Sequence, residues 1–299
     1  MLQAPHFCHG MNLHYYKYLF FSIVAVSIFI VLLISYDRNG GFTASLLPED
    51  LSFPAREDML LEDVLKKAAM EDNTVILTVL NAAWAKPGSI LDQFLESFRI
   101  GDRTLRLLDH LVIVAVDMEA YRRCKSVHPH CVPLSTPGVD FSGQNNFMTA
   151  TFVEMMWKRI DFLRIVLQKG YNFIFTDTDV LWFRDPLPIF YLDGDFQISC
   201  DRFGGNSLDM KTNFPNSGLI YVKSNNRSVE FYKFWHTSRL KYPQKNDQDV
   251  LISIKDDPFV QEIGLQIRFL DTAYFGGLCE KSKDFQKVRT MHKLLYWPE

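Results

Sequence analysis

Tyr171-Asn172-Phe173-Ile174-Phe175-Thr176-Asp177-Thr178-Asp179 is an apolar run that ends abruptly in two carboxylates. Tyr171–Thr176 is rich in aromatic and β-branched residues and shows no polar alternation, which predicts a strand buried on both faces. Residues two apart on an extended chain point the same way, so Asp177 and Asp179 address one location. In open α/β sheets ligands bind in that location, outside the carboxyl ends of the strands. Two carboxylates side by side repel each other unless a cation lies between them. Hard divalent ions such as Mg²⁺ or Mn²⁺ accept one or two carboxylates together with substrate phosphate oxygens. The plainer reading of the same residues is a loop in which both aspartates are solvated or cap a helix.

Upstream, Thr149–Lys169 has helical spacing, and Gly170 is placed to end it. Its apolar stripe is Phe152, Met155, Met156, Leu163, Val166 and Leu167, and Arg159 falls on that stripe, four residues from Met155 and from Leu163. A cation on a core-facing stripe needs an anionic partner. Asp177 or Asp117 could serve, and so could a bound diphosphate. Lys158 lies on another side, with Asp161 at i+3 as its surface partner. Further out, Thr74–Leu80 and His110–Val116 read as buried strands, and Leu60–Ala69 and Ser89–Ile100 as helices. Alternating strands and helices predict an α/β fold with a doubly wound, mostly parallel sheet, in one domain over residues 60–299.

The 299 residues are 47% hydrophobic and 22% charged, which suits a packed core and not a disordered chain. A net charge of −3 argues against a nucleic-acid partner. Tyr18–Ser35 carries no charge, is apolar all round and lacks a small-residue cleavage step, so it reads as a single transmembrane signal-anchor. Residues 1–17 then form a cytosolic tail, residues 36–59 a stem, and the remainder a lumenal domain. Asn226-Arg227-Ser228 is a glycosylation sequon that fits a lumenal setting. Of the five cysteines, Cys124 and Cys131 flank His128-Pro129-His130. A loop disulfide and a zinc site built from Cys124, His128, His130 and Cys131 are both open, although the spacing matches no standard zinc pattern.

Six segments in order carry a family resemblance: Thr78–Pro87 (TVLNAAWAKP), Phe173–Leu187 (FIFTDTDVLWFRDPL), Phe214–Ser224 (FPNSGLIYVKS), Asn246–Val250 (NDQDV), Tyr274–Cys279 (YFGGLC) and Thr290-Met291-His292. The chain resembles the plant nucleotide-diphospho-sugar transferases related to rhamnogalacturonan xylosyltransferases and extensin arabinosyltransferases. That resemblance implies a GT-A fold, a type II Golgi membrane anchor and a metal-dependent, retaining transfer from a nucleotide sugar, a UDP-sugar above all, to a cell-wall glycan or glycoprotein. It implies that Asp177, Asp179 and His292 hold the metal, with Mn²⁺ better suited than Mg²⁺ to an imidazole beside carboxylates. Asn81 and Thr178 would lie at the nucleotide, joined by Arg159 from the helix pattern. Asp201, Asn216 and Gly218 would line the donor sugar, and Asp247 and Gln248 would face the reacting carbon. In the family the histidine segment continues through an Ala-Asn-Cys-Cys stretch, whereas here it runs from His292 to Glu299, which reads as a truncated version.

Two other functions compete. A truncated, membrane-tethered chain could serve as the non-catalytic partner subunit of an intact transferase. An aspartyl-phosphatase of the haloacid dehalogenase type also ends a buried strand in Asp-x-Asp, and Lys255-Asp256-Asp257 could mimic its later metal residues. Against the phosphatase, Leu181 stands where a Thr or Val is usual, and the motif lies mid-chain.

Overall fold

A computed structural model describes residues 53–134, 138–143 and 148–293. The proposed anchor Tyr18–Ser35 and the tail before it lie outside the described residues, as does most of the proposed stem. Among the described residues no helix is long and apolar enough to cross a membrane. The first helix, α1, is Phe53–Ala68, so it starts within the stretch read as stem.

After α1 the chain alternates as expected. Strand β1 is Thr74–Leu80, α2 is the short turn Ala82–Ala85, α3 is Ile90–Ile100 and β2 is Leu111–Ala115. Helix α4 (Met118–Val127) and β3 (Cys131–Pro133) follow, then α5 (Ala150–Gln168) and β4 (Asn172–Thr176). Next come β5 (Val180–Trp182), β6 (Phe196–Arg202), β7 (Phe214–Val222), α6 (Asn226–Ser238), α7 (Asp247–Ile254) and α8 (Pro258–Glu262). Three short strands close the series: β8 (Ile267–Phe269), β9 (Phe275–Gly276) and β10 (Thr290–His292).

Seven strands form one sheet in the order β3-β2-β1-β4-β7-β6-β8. Pairs β3/β2, β2/β1, β1/β4 and β6/β8 are parallel, and only β7 runs antiparallel to its neighbours β4 and β6. The unbroken apolar strands are explained by helices on both faces. Val75, Leu77, Phe173 and Phe175 pack with Ile160, Leu163 and Val166 of α5 and with Phe231 and Trp235 of α6. Ile76, Leu80, Ile113 and Ile174 point the other way, onto Leu91, Phe94, Leu95 and Phe98 of α3. Successive side chains alternate faces, so one apolar strand feeds two cores.

Two features position the site. The chain crosses from β1 to β2 on one side and reaches β4 on the other, so the sheet's topological switch lies between β1 and β4. A separate three-stranded sheet, β5-β10-β9, lies beyond the end of β4. In it His292 pairs opposite Val180, antiparallel, and the Lys293 amide donates to the Asp179 carbonyl at 2.9 Å.

Candidate functional site

Asp177 follows β4 and Asp179 precedes β5, and β10 lays His292 across both. One ligand atom from each of the three lies within 4.8 Å of the others, and they form the metal-competent cluster found among the described residues. His292 Nε2 is 3.1 Å from Asp179 Oδ1 and 4.0 Å from Asp177 Oδ2. The main chain holds this geometry, since the Asp177 amide donates to the Gly218 carbonyl at 2.8 Å and extends the β4–β7 ladder. Burial pushes the Asp177 carboxyl up to about 6, against the pull of Arg159 and with the push of Asp179. Burial opposes a charge on His292, but the hydrogen bond and charge of Asp179, with Asp177 and Asp201 nearby, hold its imidazole above the ordinary range. Two carboxylates and one imidazole converging on a single point match the donor set of a divalent cation.

Arg159 is buried on the inner face of α5, 3% exposed, as the stripe predicted. Its partners change its reading. Nη1 donates to Asp177 Oδ1 at 2.9 Å, and Nη2 donates to Asp247 Oδ2 at 2.5 Å and to Ser217 Oγ at 3.4 Å. The guanidinium lies over the Phe175 ring, 4.7 Å from its centroid. Arg159 is thus an internal clamp between two aspartates, and the anion its place on the stripe calls for is supplied by the protein itself. Asp117 is not its partner; it caps α4 through the Ala120 amide and accepts from the Ala82 amide. Asp161 pairs with Arg164 rather than with Lys158.

The same pairing holds Asp247. Placed at the first turn of α7, it is 2% exposed and turned into the protein toward Arg159. Gln248 next to it is half-buried. Its Nε2 donates to Asp201 Oδ2 at 3.2 Å, and its Oε1 accepts from the Ser217 amide at 2.9 Å. Asp201 Oδ1 accepts from Asn216 Nδ2 at 2.9 Å, and Asn216 Oδ1 lies 3.0 Å from His292 Nδ1. The chain of contacts therefore returns to the metal-competent cluster. Asp201, Asn216 and Gly218, predicted to line a donor sugar, and Gln248, predicted with Asp247 to face the reacting carbon, are linked by these contacts to His292.

Thr178 is 1% exposed, and its hydroxyl has no partner. A buried orphan hydroxyl between two site aspartates is costly unless a ligand completes it. Asn81 is buried at the end of β1, but its side chain is engaged. Nδ2 donates to the carbonyls of Phe141 and Gly143, each at 3.1 Å, and Oδ1 accepts from the Trp84 amide at 3.2 Å. It pins a loop and caps α2, a use that its position after a strand did not reveal.

The remaining chemical motifs lie elsewhere. Cys124 and Cys131 form a disulfide with a Cα separation of 6.1 Å, and His128 Nε2 bonds the Leu111 carbonyl at 2.6 Å, so no zinc site is assembled there. Cys200 is a buried free thiol and Cys279 an exposed one, and Asp201 stands close enough to Cys279 to push its thiol upward along with burial. Asp257 caps α8, and Lys255 packs near Phe269, so Lys255-Asp256-Asp257 does not join the Asp-x-Asp cluster. Asn226 is exposed at the start of α6. Sequence reasoning missed Ser217 and Phe175, which complete the surroundings of Arg159. Phe175 precedes Asp177 by two and shares its side of the strand, a signal that could have found it.

Residues 106–295 match the model of the nucleotide-diphospho-sugar transferase family. An Arabidopsis thaliana protein, At4g15970, is 50% identical over 78% of this chain, and the match spans 61% of that relative's length. A second Arabidopsis protein, At1g28695, is 42% identical over 78% of this chain and 71% of its own. More distantly, the Arabidopsis UDP-D-xylose:L-fucose alpha-1,3-D-xylosyltransferase MGP4 is 23% identical over 48% of this chain and 42% of its own. The family match takes in the whole Asp177–Asp179–His292 cluster together with Arg159 and α7, and the chain belongs to the nucleotide-diphospho-sugar transferase family.

Proposed function

We propose that the chain transfers a sugar from a nucleotide diphosphate, in the first place UDP, to a cell-wall glycan or glycoprotein, on a GT-A-type fold and with retention at the anomeric carbon. The Golgi lumen is the proposed setting, with Tyr18–Ser35 as anchor. The observation that carries the reading is the convergence of Asp177, Asp179 and His292 at the sheet's topological switch. The donor set fits Mn²⁺, which when bound would offset the charge developing on the departing diphosphate.

The chain's own residues divide the remaining work. Asp177 and Asp179 neutralise the cation, and His292 completes its protein ligands. Arg159 keeps the Asp177 carboxylate from turning inward or drifting. The half-buried Asp201, whose oxygens keep lone pairs beyond those taken by Asn216 and Gln248, and Gln248 itself are the side chains proposed to meet the sugar.

The test is UDP release from a panel of UDP-sugars by the full chain, with Mn²⁺ and with a chelator. Release should require the metal and should vanish in Asp177→Asn and Asp179→Asn. Release that persists in chelator, or equal Mn²⁺ affinity in wild type and both variants, would remove the metal from the reading.

A further inference from the structure

The β7 stretch Asn216-Ser217-Gly218 lies against the His292 ring. Asn216 Oδ1 is 3.0 Å from Nδ1 of the imidazole and also accepts the Gly218 amide at 2.9 Å. Asn216 Nδ2 donates to Asp201 Oδ1 at 2.9 Å. An ionised carboxylate can only accept, so the amide is fixed with its nitrogen toward Asp201 and its oxygen toward the ring. That oxygen can only accept in turn. Nδ1 of His292 therefore carries hydrogen, and in the neutral ring that a cation requires the lone pair falls on Nε2, the nitrogen that faces Asp177 and Asp179. Asp201 is itself held from behind, because Gln248 Nε2 donates to its other oxygen at 3.2 Å.

Gly218 supplies the steric half of the arrangement. A Cβ there would stand 2.4 Å from His292 Cε1, 2.7 Å from Nδ1 and 2.9 Å from Asn216 Oδ1. The imidazole packs directly on the glycine backbone, at a distance that no side chain permits. We infer that Asn216 and Gly218, backed by Asp201, are positioning residues that seat His292 with Nε2 free to bind a divalent cation, rather than contacts to the donor sugar. The inference rests on the metal site proposed above. Partners that orient a metal-bound histidine through its second nitrogen usually carry 10–100-fold in metal affinity.

The experiment titrates Mn²⁺ alone into the full chain, followed by the loss of the free-Mn²⁺ electron paramagnetic signal. Binding of UDP and of UDP-sugars at saturating Mn²⁺ is then measured by calorimetry. Asn216→Leu keeps the volume and removes the acceptor; Asn216→Asp, made together with Asp201→Asn so that the two positions exchange donor and acceptor, keeps an acceptor at the ring; and Gly218→Ala adds the clashing carbon. Thermal unfolding in chelator checks that each variant folds. Asn216→Leu and Gly218→Ala should bind Mn²⁺ about 10–100-fold more weakly, whereas the Asn216→Asp, Asp201→Asn double variant stays within a few-fold of wild type. Should Gly218→Ala fail to fold, the two Asn216 variants decide alone. Wild-type Mn²⁺ affinity in Asn216→Leu, with the loss confined to UDP-sugar relative to UDP, overturns the inference in favour of sugar contact. Equal losses in Asn216→Leu and the double variant overturn it as well. If wild type binds no Mn²⁺, the proposed metal site falls too, whereas unaltered variants beside a binding wild type overturn only the seat.

Discussion

Arg159 donates to aspartates 18 and 88 positions away in sequence, from a side chain that is almost wholly buried. Removing one member of such a buried ionic group leaves the others uncompensated, which typically costs 3–5 kcal/mol. Arg159→Ala is therefore expected to destabilise the protein by about 3–5 kcal/mol in urea unfolding, with any loss of nucleotide affinity following from the displaced Asp177. Lys158, one position earlier and half-buried, has Asp161 taken by Arg164, and Lys158→Ala should stay within about 0.5 kcal/mol of wild type. A loss below about 1 kcal/mol for Arg159→Ala would show that Asp177 and Asp247 rearrange to reach solvent. The helical period was enough to bury Arg159. It was silent on whether the anion facing it came from the protein or from a ligand, because both satisfy the same charge.

At the scale of elements, the edge strand β3 is tied to α4 by the Cys124–Cys131 disulfide and pairs through Cys131 with Ile113 of β2. A bridge closing so short a loop restricts the unfolded chain by about 2–2.5 kcal/mol in the loop-entropy model. The Cys124→Ala, Cys131→Ala double variant should lose about that much stability, and an unchanged unfolding midpoint would count against the bridge. Between those cysteines, His128 is buried and bonded to the Leu111 carbonyl. Burial, with His130 beside it, holds its imidazole below the ordinary range despite that bond. The folded state therefore resists a proton that the unfolded chain accepts near pH 6.5. Stability contributed by neutral His128 is complete above that pH and declines as pH falls below it, by at most about 1.4 kcal/mol per unit. Unfolding free energies measured from pH 7.5 to 5 should fall more steeply in wild type than in His128→Gln; parallel slopes would refute the assignment.

At the scale of the molecule, the candidate metal site joins the main sheet to the small one, since Asp177 extends the β4–β7 ladder while His292 belongs to β10. An ion bound there would stabilise the native state by mass action, about 2.7 kcal/mol when free ligand is 100 times its dissociation constant. Mn²⁺ is accordingly expected to raise the unfolding midpoint of wild type and to leave that of His292→Ala unchanged. An equal rise in both would place the ion elsewhere.

Local order was legible in the sequence because its causes act over a few residues. The two-sided apolar run marked β1 at its observed bounds, Thr74–Leu80. Helical spacing with a terminal glycine marked α5, where Gly170 takes the left-handed conformation, φ 87°, just past the cap. Asp177 and Asp179 stood out because a strand ending in two carboxylates is an electrostatic anomaly wherever the strand lies. What the tertiary structure alone decided is which groups meet. Arg159 with Asp247, Asn81 with the Phe141 and Gly143 carbonyls, and Asn216 with His292 are brought together by strand order and register. A polar side chain of given type looks the same in sequence whether it faces a ligand or a partner 76 positions away, and only the packing of the two sheets chooses between them.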